Sequence, residues 1–253
     1  MNEYRKTSLP DIIAGPCSAE NRQQVIQTAL ALKTIGIRTM RAGVWKPRSR
    51  YGRFEGAGEA ALPWLQEVQQ VCKLKVMTEV ALPIHVEAAL RAGMDMLWIG
   101  ARTTANPFMM NELAAALKGT QIPVFLKNPI CPDLNLWIGS IERLQQAGIN
   151  QLRLIHRGFC ILNNEPYRNS PLWNLPCQMK NLFPDLPMYC DPSHIAGKKE
   201  LVYELCTETL KRNYDGLFSE CHICPSKALS DAQQQITPAE LKDMILGTIE
   251  YFV

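Results

Sequence analysis

The stretch KVMTEVALPIHVEAALRAGMDMLWIGA, Lys75 to Ala101, decides the fold. It opens on a short apolar, β-rich run, KVMTEV, passes through PIHVEAALRAG and closes on a second such run, MLWIGA. In the middle segment apolar residues return at three- and four-residue intervals and Gly93 follows them, the pattern of an amphipathic helix closed by glycine. Strand, helix and strand in this order imply parallel pairing through a crossover.

The same unit repeats in both directions. Further β-rich runs are DIIAGPC from Asp11, TMRAGVW from Thr39, PVFLKN from Pro123, QLRLIHR from Gln151, PMYCDPS from Pro187 and GLFSECH from Gly216. Helical stretches lie between them: NRQQVIQTALALKTIG, GEAALPWLQEVQQVCK, NPFMMNELAAALKG and LWIGSIERLQQAG, with Gly36, Gly119 and Gly148 as closing residues. The last helix is expected in PAELKDMILGTIEYFV. Gly158 to Trp173, rich in Asn and Pro, is expected as an extended loop. Eight strand-helix units in 253 residues predict an α/β fold, a (β/α)₈ TIM barrel forming a single domain over residues 1–253, rather than an open doubly wound sheet.

Composition narrows the function. With 27 Lys+Arg against 24 Asp+Glu, the chain has no overall field to attract nucleic acid or an anionic membrane. No apolar window is long enough to span a bilayer and MNEYRKTSLPD has no signal-peptide core, so a cytoplasmic location is expected. The nine cysteines are odd in number and scattered, which suggests reduced thiols rather than a disulfide framework.

Active sites of such barrels form at the C-terminal strand ends, where the βα loops converge. Those positions hold Cys17, Arg41, Lys46, Arg48, Glu79, Arg102, Lys127, Arg157, His194, Glu220 and Asp231. Six are cations: Arg41, Lys46, Arg48, Arg102, Lys127 and Arg157. Any one alone reads better as a solvated residue paired with a carboxylate, but six gathered at one rim would repel strongly unless they bind a polyanion. The remaining thiol, imidazole and carboxylates of Cys17, His194, Glu220 and Asp231 form a mixed donor set suited to Zn²⁺, Mn²⁺ or Fe²⁺. Singly, a Cys or His in such a place is more often a core residue; here the first, seventh and eighth strands become neighbours once a barrel closes.

Two motifs carry less than they suggest. GAGEAA, Gly56 to Ala61, follows a polar loop and so does not read as a dinucleotide site. CHIC, Cys221 to Cys224, lacks a second pair to complete a zinc site. His85 and His156 read as structural.

AGPCSAE, RAGVWKPRSR, IGARTT, FLKN, HRGF, CDPSHIAGKKEL and the run from Glu220 through ALSDAQQQ together resemble, in order, the short type I form of 3-deoxy-7-phosphoheptulonate (DAHP) synthase. The resemblance implies a transferase that condenses phosphoenolpyruvate with erythrose 4-phosphate, the first step of the shikimate route to aromatic amino acids. It implies one divalent metal ion (Mn²⁺, Fe²⁺, Zn²⁺ or Co²⁺) on Cys17, His194, Glu220 and Asp231, acting as Lewis acid on the aldehyde. Arg41, Lys46, Arg102, Lys127 and Arg157 would take phosphoenolpyruvate, and Arg48 with Ser49 the sugar phosphate; the family usually has Thr at the position of Ser49. Catalytic roles fall to Lys46, expected as a proton donor of lowered pKa, and to Cys17 and His194 through the metal. Glu79 and a metal-linked route are the two candidates for activating water. A homo-oligomer, dimer or tetramer, is expected; no room for an extra domain is seen at either end, so control is either absent or supplied by a separate chorismate mutase or regulatory partner. The similar 3-deoxy-octulosonate 8-phosphate synthases act on a five-carbon sugar and lack the KPR segment, so Lys46-Pro47-Arg48 favours the four-carbon substrate. A silent barrel that only binds phosphosugars would be expected to have lost part of this set.

Overall fold

Each of the eight β-rich runs forms a strand: β1 Asp11–Gly15, β2 Thr39–Arg41, β3 Lys75–Val80, β4 Met96–Ile99, β5 Val124–Lys127, β6 Leu152–His156, β7 Met188–Cys190 and β8 Gly216–Glu220. In the computed structural model, which describes residues 10–48, 50–162 and 165–249, they pair in parallel and in sequence order, and β8 closes on β1. The closing register runs from Asp11 beside Gly216 to Gly15 beside Glu220. Helices α1 Arg22–Thr34, α2 Leu62–Glu67, α3 Pro83–Arg91, α4 Ala101–Thr104, α5 Pro107–Leu117, α6 Leu134–Gln146, α7 Asn174–Leu182, α8 Pro192–Ala196, α9 Val202–Lys211 and α10 Pro238–Ile249 separate or follow them. This is the predicted (β/α)₈ barrel.

The two-residue period of a strand explains how the interior is filled. Val76, Leu97, Val124, Leu126, Leu154 and Leu217 face outward and join the large core under the helices. Their neighbours Met77, Trp98, Phe125, Ile155 and Phe218, with Ile13 and Tyr189, form a separate apolar layer inside the barrel. Trp98 meets Phe218 edge-on with ring centroids 5.4 Å apart, and Phe125 meets Tyr189 at 5.1 Å. Two residues further along the same inward faces stand Glu79, Lys127, Arg157, Asp191 and Glu220; two residues before stand Lys75, Arg153 and Asp11. The barrel is thus apolar at its waist and charged at both mouths.

Local chemistry sets the element ends. Asn21, Asn106, Asp133 and Asp191 cap helices by accepting backbone N–H bonds with their side chains. The four expected helix-closing glycines all adopt positive φ. The single helix expected in GEAALPWLQEVQQVCK is instead a 3₁₀ turn at Gly58–Ala61, then α2, then a π-helical turn at Val68–Cys72. Pro63, which lacks an amide hydrogen, sits in the first turn of α2 and cannot continue a helix from before it. Gly15 is required at the β1 end: at φ 155° its Cβ would lie 2.0 Å from the carbonyl oxygen of Arg41. No helix among the described residues is long and apolar enough to cross a membrane.

Candidate active site

The C-terminal mouth holds a cavity of about 490 Å³. Lys46, Arg48, Arg102, Lys127 and Arg157 line it, and Arg50, Arg53 and Arg168 join them. Against these eight cations the described lining residues offer two carboxylates, Glu79 and Asp231. Arg41 is not among the described lining residues. It lies beneath the cavity at 1% exposure, its guanidinium 4.8 Å from the Trp98 ring and 4.6 Å from the Phe218 ring. Its Nη2 is 3.4 Å from Glu220 Oε1, while Nε and Nη1 are buried without hydrogen bonds. Ser49 lies outside the described residues.

Beside these cations the strand ends bring together Cys17, Glu220 and Asp231, whose ligand atoms all lie within 4.8 Å of one another. The Cys17 thiol donates to Asp231 Oδ2 at 3.2 Å. His194 stands at the edge of the group, its Nε2 3.8 Å from Glu220 Oε1. Burial, reinforced by Glu220 and Asp231, pushes the Cys17 thiol up. Burial would raise Glu220 and Asp231 too, but His194 and nearby cations, Arg41 and Lys46 for Glu220 and Lys46 and Arg168 for Asp231, hold both below the ordinary carboxylate range. Burial also keeps His194 below its ordinary value, which favours the neutral imidazole that a metal needs as a ligand. Glu220 Oε1 is a buried acceptor with no hydrogen bond. A thiol, two carboxylates and an imidazole around an unsatisfied buried oxygen fit a divalent cation. Asp231 reaches the group from a left-handed backbone, φ 49° and ψ 35°, a strain more common at functional positions than elsewhere.

Asp191 is the residue the sequence reading passed over. Its carboxylate pairs with Lys127 Nζ at 2.8 Å, accepts the backbone N–H of His194 at 3.0 Å and lies 2.7 Å from His194 Nδ1, off the line of a hydrogen bond. Burial disfavours its charge, but His194, Lys127 and Arg41 more than offset this and hold it well below the ordinary range. Asp191 therefore fixes both a cation of the cavity and the ring of a candidate metal ligand. The loop before α7 supplies two more such residues. Asn169 accepts from Arg157 Nη1 at 2.7 Å and donates to the His194 carbonyl, and Arg168 donates to Asp231 and to Gln234. Gln234 in turn donates to Glu220 Oε2 at 2.7 Å.

Lys46 departs from the expected direction. Burial alone would lower it, but the acidic groups around it, the Cys17 thiol and the carboxylates of Glu79, Glu220 and Asp231, carry it above its ordinary value. Glu79 faces the cavity under Gly100, where an added Cβ would fall 2.1 Å from Glu79 Oε1. Gly100→Ala is expected to swing the Glu79 side chain away at little cost in stability, since the clash is with the end of a flexible chain. A urea midpoint within error of wild type together with turnover lowered at least about tenfold would place Glu79 in the chemistry; unchanged turnover would remove it. His85 and His156 are structural, as read. His85 stacks on Trp45 at 4.2 Å, and His156 is buried between the Pro171 carbonyl and the Tyr214 hydroxyl.

The DAHP synthetase I family model matches residues 8–251. The chain belongs to the DAHP synthetase I family. It is 30% identical over 238 residues to the phospho-2-dehydro-3-deoxyheptonate aldolase of Thermotoga maritima, covering 92% of this chain and 67% of that one. The 2-dehydro-3-deoxyphosphooctonate aldolase of Nitratidesulfovibrio vulgaris (strain DP4) is 26% identical over 259 residues, covering 92% of this chain and 90% of the relative. Among solved structures, the Thermotoga maritima DAHP synthase superposes with TM-score 0.83 at 28% identity, over 95% of this chain and 68% of that one. A truncated form of the Thermotoga enzyme gives TM-score 0.80 at 26% identity and covers 85% of that chain. The chain is thus an enzyme of the DAHP synthase type, a transferase, on a barrel shared with its family.

Proposed function

We propose that the chain condenses phosphoenolpyruvate with erythrose 4-phosphate and releases phosphate, in a reaction that needs a divalent metal ion. The supporting observation is the imbalance of the C-terminal cavity: eight cations face two carboxylates directly beside the Cys17, Glu220 and Asp231 cluster. Two phosphorylated substrates, bringing about five negative charges, match such a wall. Cys17, His194, Glu220 and Asp231 would hold the ion, and when bound it supplies Lewis-acid polarisation of a carbonyl oxygen.

The chain's own residues do the rest. Arg102, Lys127 and Arg157 bind and orient phosphoenolpyruvate, with Arg41 beneath them, while Arg48 and Ser49 take the sugar phosphate. Carbon 3 of phosphoenolpyruvate forms a bond to the aldehyde carbon, and the aldehyde oxygen takes a proton from the ammonium of Lys46. Water adds to carbon 2 and gives its proton to Glu79. The bond between carbon 2 and the phosphate oxygen then breaks as the carbon 2 hydroxyl gives its proton to the departing phosphate, which leaves a ketone and free phosphate, and the proton on Glu79 passes back to Lys46. Lys46 is charged in the substrate-free protein, so its proton is in place before the substrates arrive.

The sugar is assigned from Lys46, Pro47 and Arg48, all of which line the cavity. Phosphoenolpyruvate consumption should be measured with erythrose 4-phosphate and, in parallel, with arabinose 5-phosphate, before and after chelation. Turnover is expected with the four-carbon sugar alone, lost on chelation and restored by Mn²⁺. Preference for arabinose 5-phosphate would overturn the substrate assignment, and indifference to chelator the metal assignment.

A further inference from the structure

The N-terminal mouth of the barrel opens into a second cavity, of about 650 Å³. Lys33, Arg38, Lys73, Lys75 and Arg153 line it, and the only carboxylate among its described lining residues is Asp11. One oxygen of Asp11 is already engaged, accepting from the Tyr189 hydroxyl at 2.9 Å. Asp95 and Asp215 lie nearby in sequence to other strand starts but are turned to the backbone, Asp95 accepting from Val76 N–H and Asp215 from Met188 N–H, each at 2.8 Å.

Exposed lysines alone would be an ordinary solvated face. Arg153 is different. It projects inward from β6, two residues before the apolar layer, with its guanidinium 5.4 Å from the Phe125 ring and Nη1 buried without a hydrogen bond. A ring face attracts the charge but offers the N–H no acceptor of ordinary strength. Lys73 adds a second irregularity, because it holds a left-handed backbone, φ 57° and ψ 32°, at a helix end where glycine is the usual occupant. That strain sets a cation at the rim.

We propose that this mouth is a binding site for a small multivalent oxyanion of the phosphate class, anchored by Arg153 and closed by Lys73 and Lys75. Such an anion satisfies the buried guanidinium nitrogen and relieves the repulsion among five cations. The apolar waist of Trp98, Phe125, Tyr189 and Phe218 separates it from the catalytic mouth, so the two sites fill independently.

The test is equilibrium dialysis of the whole chain against labelled inorganic phosphate, with phosphoenolpyruvate and the unreactive sugar analogue erythritol 4-phosphate present to occupy both phosphate positions of the catalytic mouth. Wild type is expected to keep one bound equivalent. Arg153→Gln is expected to weaken it about tenfold, the loss of one charge-assisted hydrogen bond. Lys73→Gln with Lys75→Gln, both on exposed side chains, covers the case in which the Arg153 variant does not fold, and is expected to weaken binding to a similar degree. Phosphate binding that none of these substitutions alters, or no equivalent beyond those displaced by the two catalytic-site ligands, would overturn the proposal. Neither result depends on turnover, so failure here is distinct from failure of the catalytic assignment.

Discussion

Asp191→Ala is expected to lower the unfolding free energy by about 3–5 kcal/mol, the range for breaking a buried ion pair by removing one partner. Lys127 is left charged in the barrel with its 2.8 Å counter-ion gone, and α8 loses the cap that accepts the His194 N–H. The cap alone contributes about 1 kcal/mol. For a fold whose whole margin is about 5–15 kcal/mol, the protein should unfold at a clearly lower urea concentration. Asp191→Asn separates the two effects, since the amide oxygen can still cap the helix but cannot neutralise Lys127. A loss under about 1 kcal/mol in both variants would show that Lys127 finds another anion, and the assigned role of Asp191 would fail.

Cys17→Ala should abolish tight metal uptake and lower turnover about a hundredfold or more, the scale of losing Lewis-acid assistance worth several kcal/mol. The thiol sits at 0% exposure and in contact with Asp231, so its removal leaves the donor group a ligand short and Asp231 without its 3.2 Å partner. Bound metal after dialysis, measured by atomic emission alongside turnover, separates loss of the ion from loss of fold. Near-stoichiometric metal in the alanine variant would move the ion away from Cys17.

The barrel was legible because each strand is short, apolar and followed by a helical period closed by glycine, as from Lys75 to Gly93. Its closure follows from the number of units. The cation set and the Cys17, Glu220 and Asp231 group were legible for a related reason: a residue just past a strand has only one mouth to face. Asp191 also stands just past a strand, yet its partner Lys127 is 64 residues away and nothing local signals the pair. Arg168 and Asn169 lie in a segment without periodicity, where sequence gives no direction for a side chain. Lys46 was misjudged because its cationic neighbours are close in sequence, whereas the acids that raise it, Glu79, Glu220 and Asp231, come from other strands. Lys75 and Arg153 precede the apolar residues of their strands, so a search confined to strand ends never meets them.

The ring-filled waist turns the catalytic mouth into a blind-ended vessel. Ligands enter and leave past the same ring of cations, and any that stack in depth cannot overtake one another. Whichever molecule lodges deeper must arrive first and depart last, an order imposed by plumbing before any difference in affinity is considered.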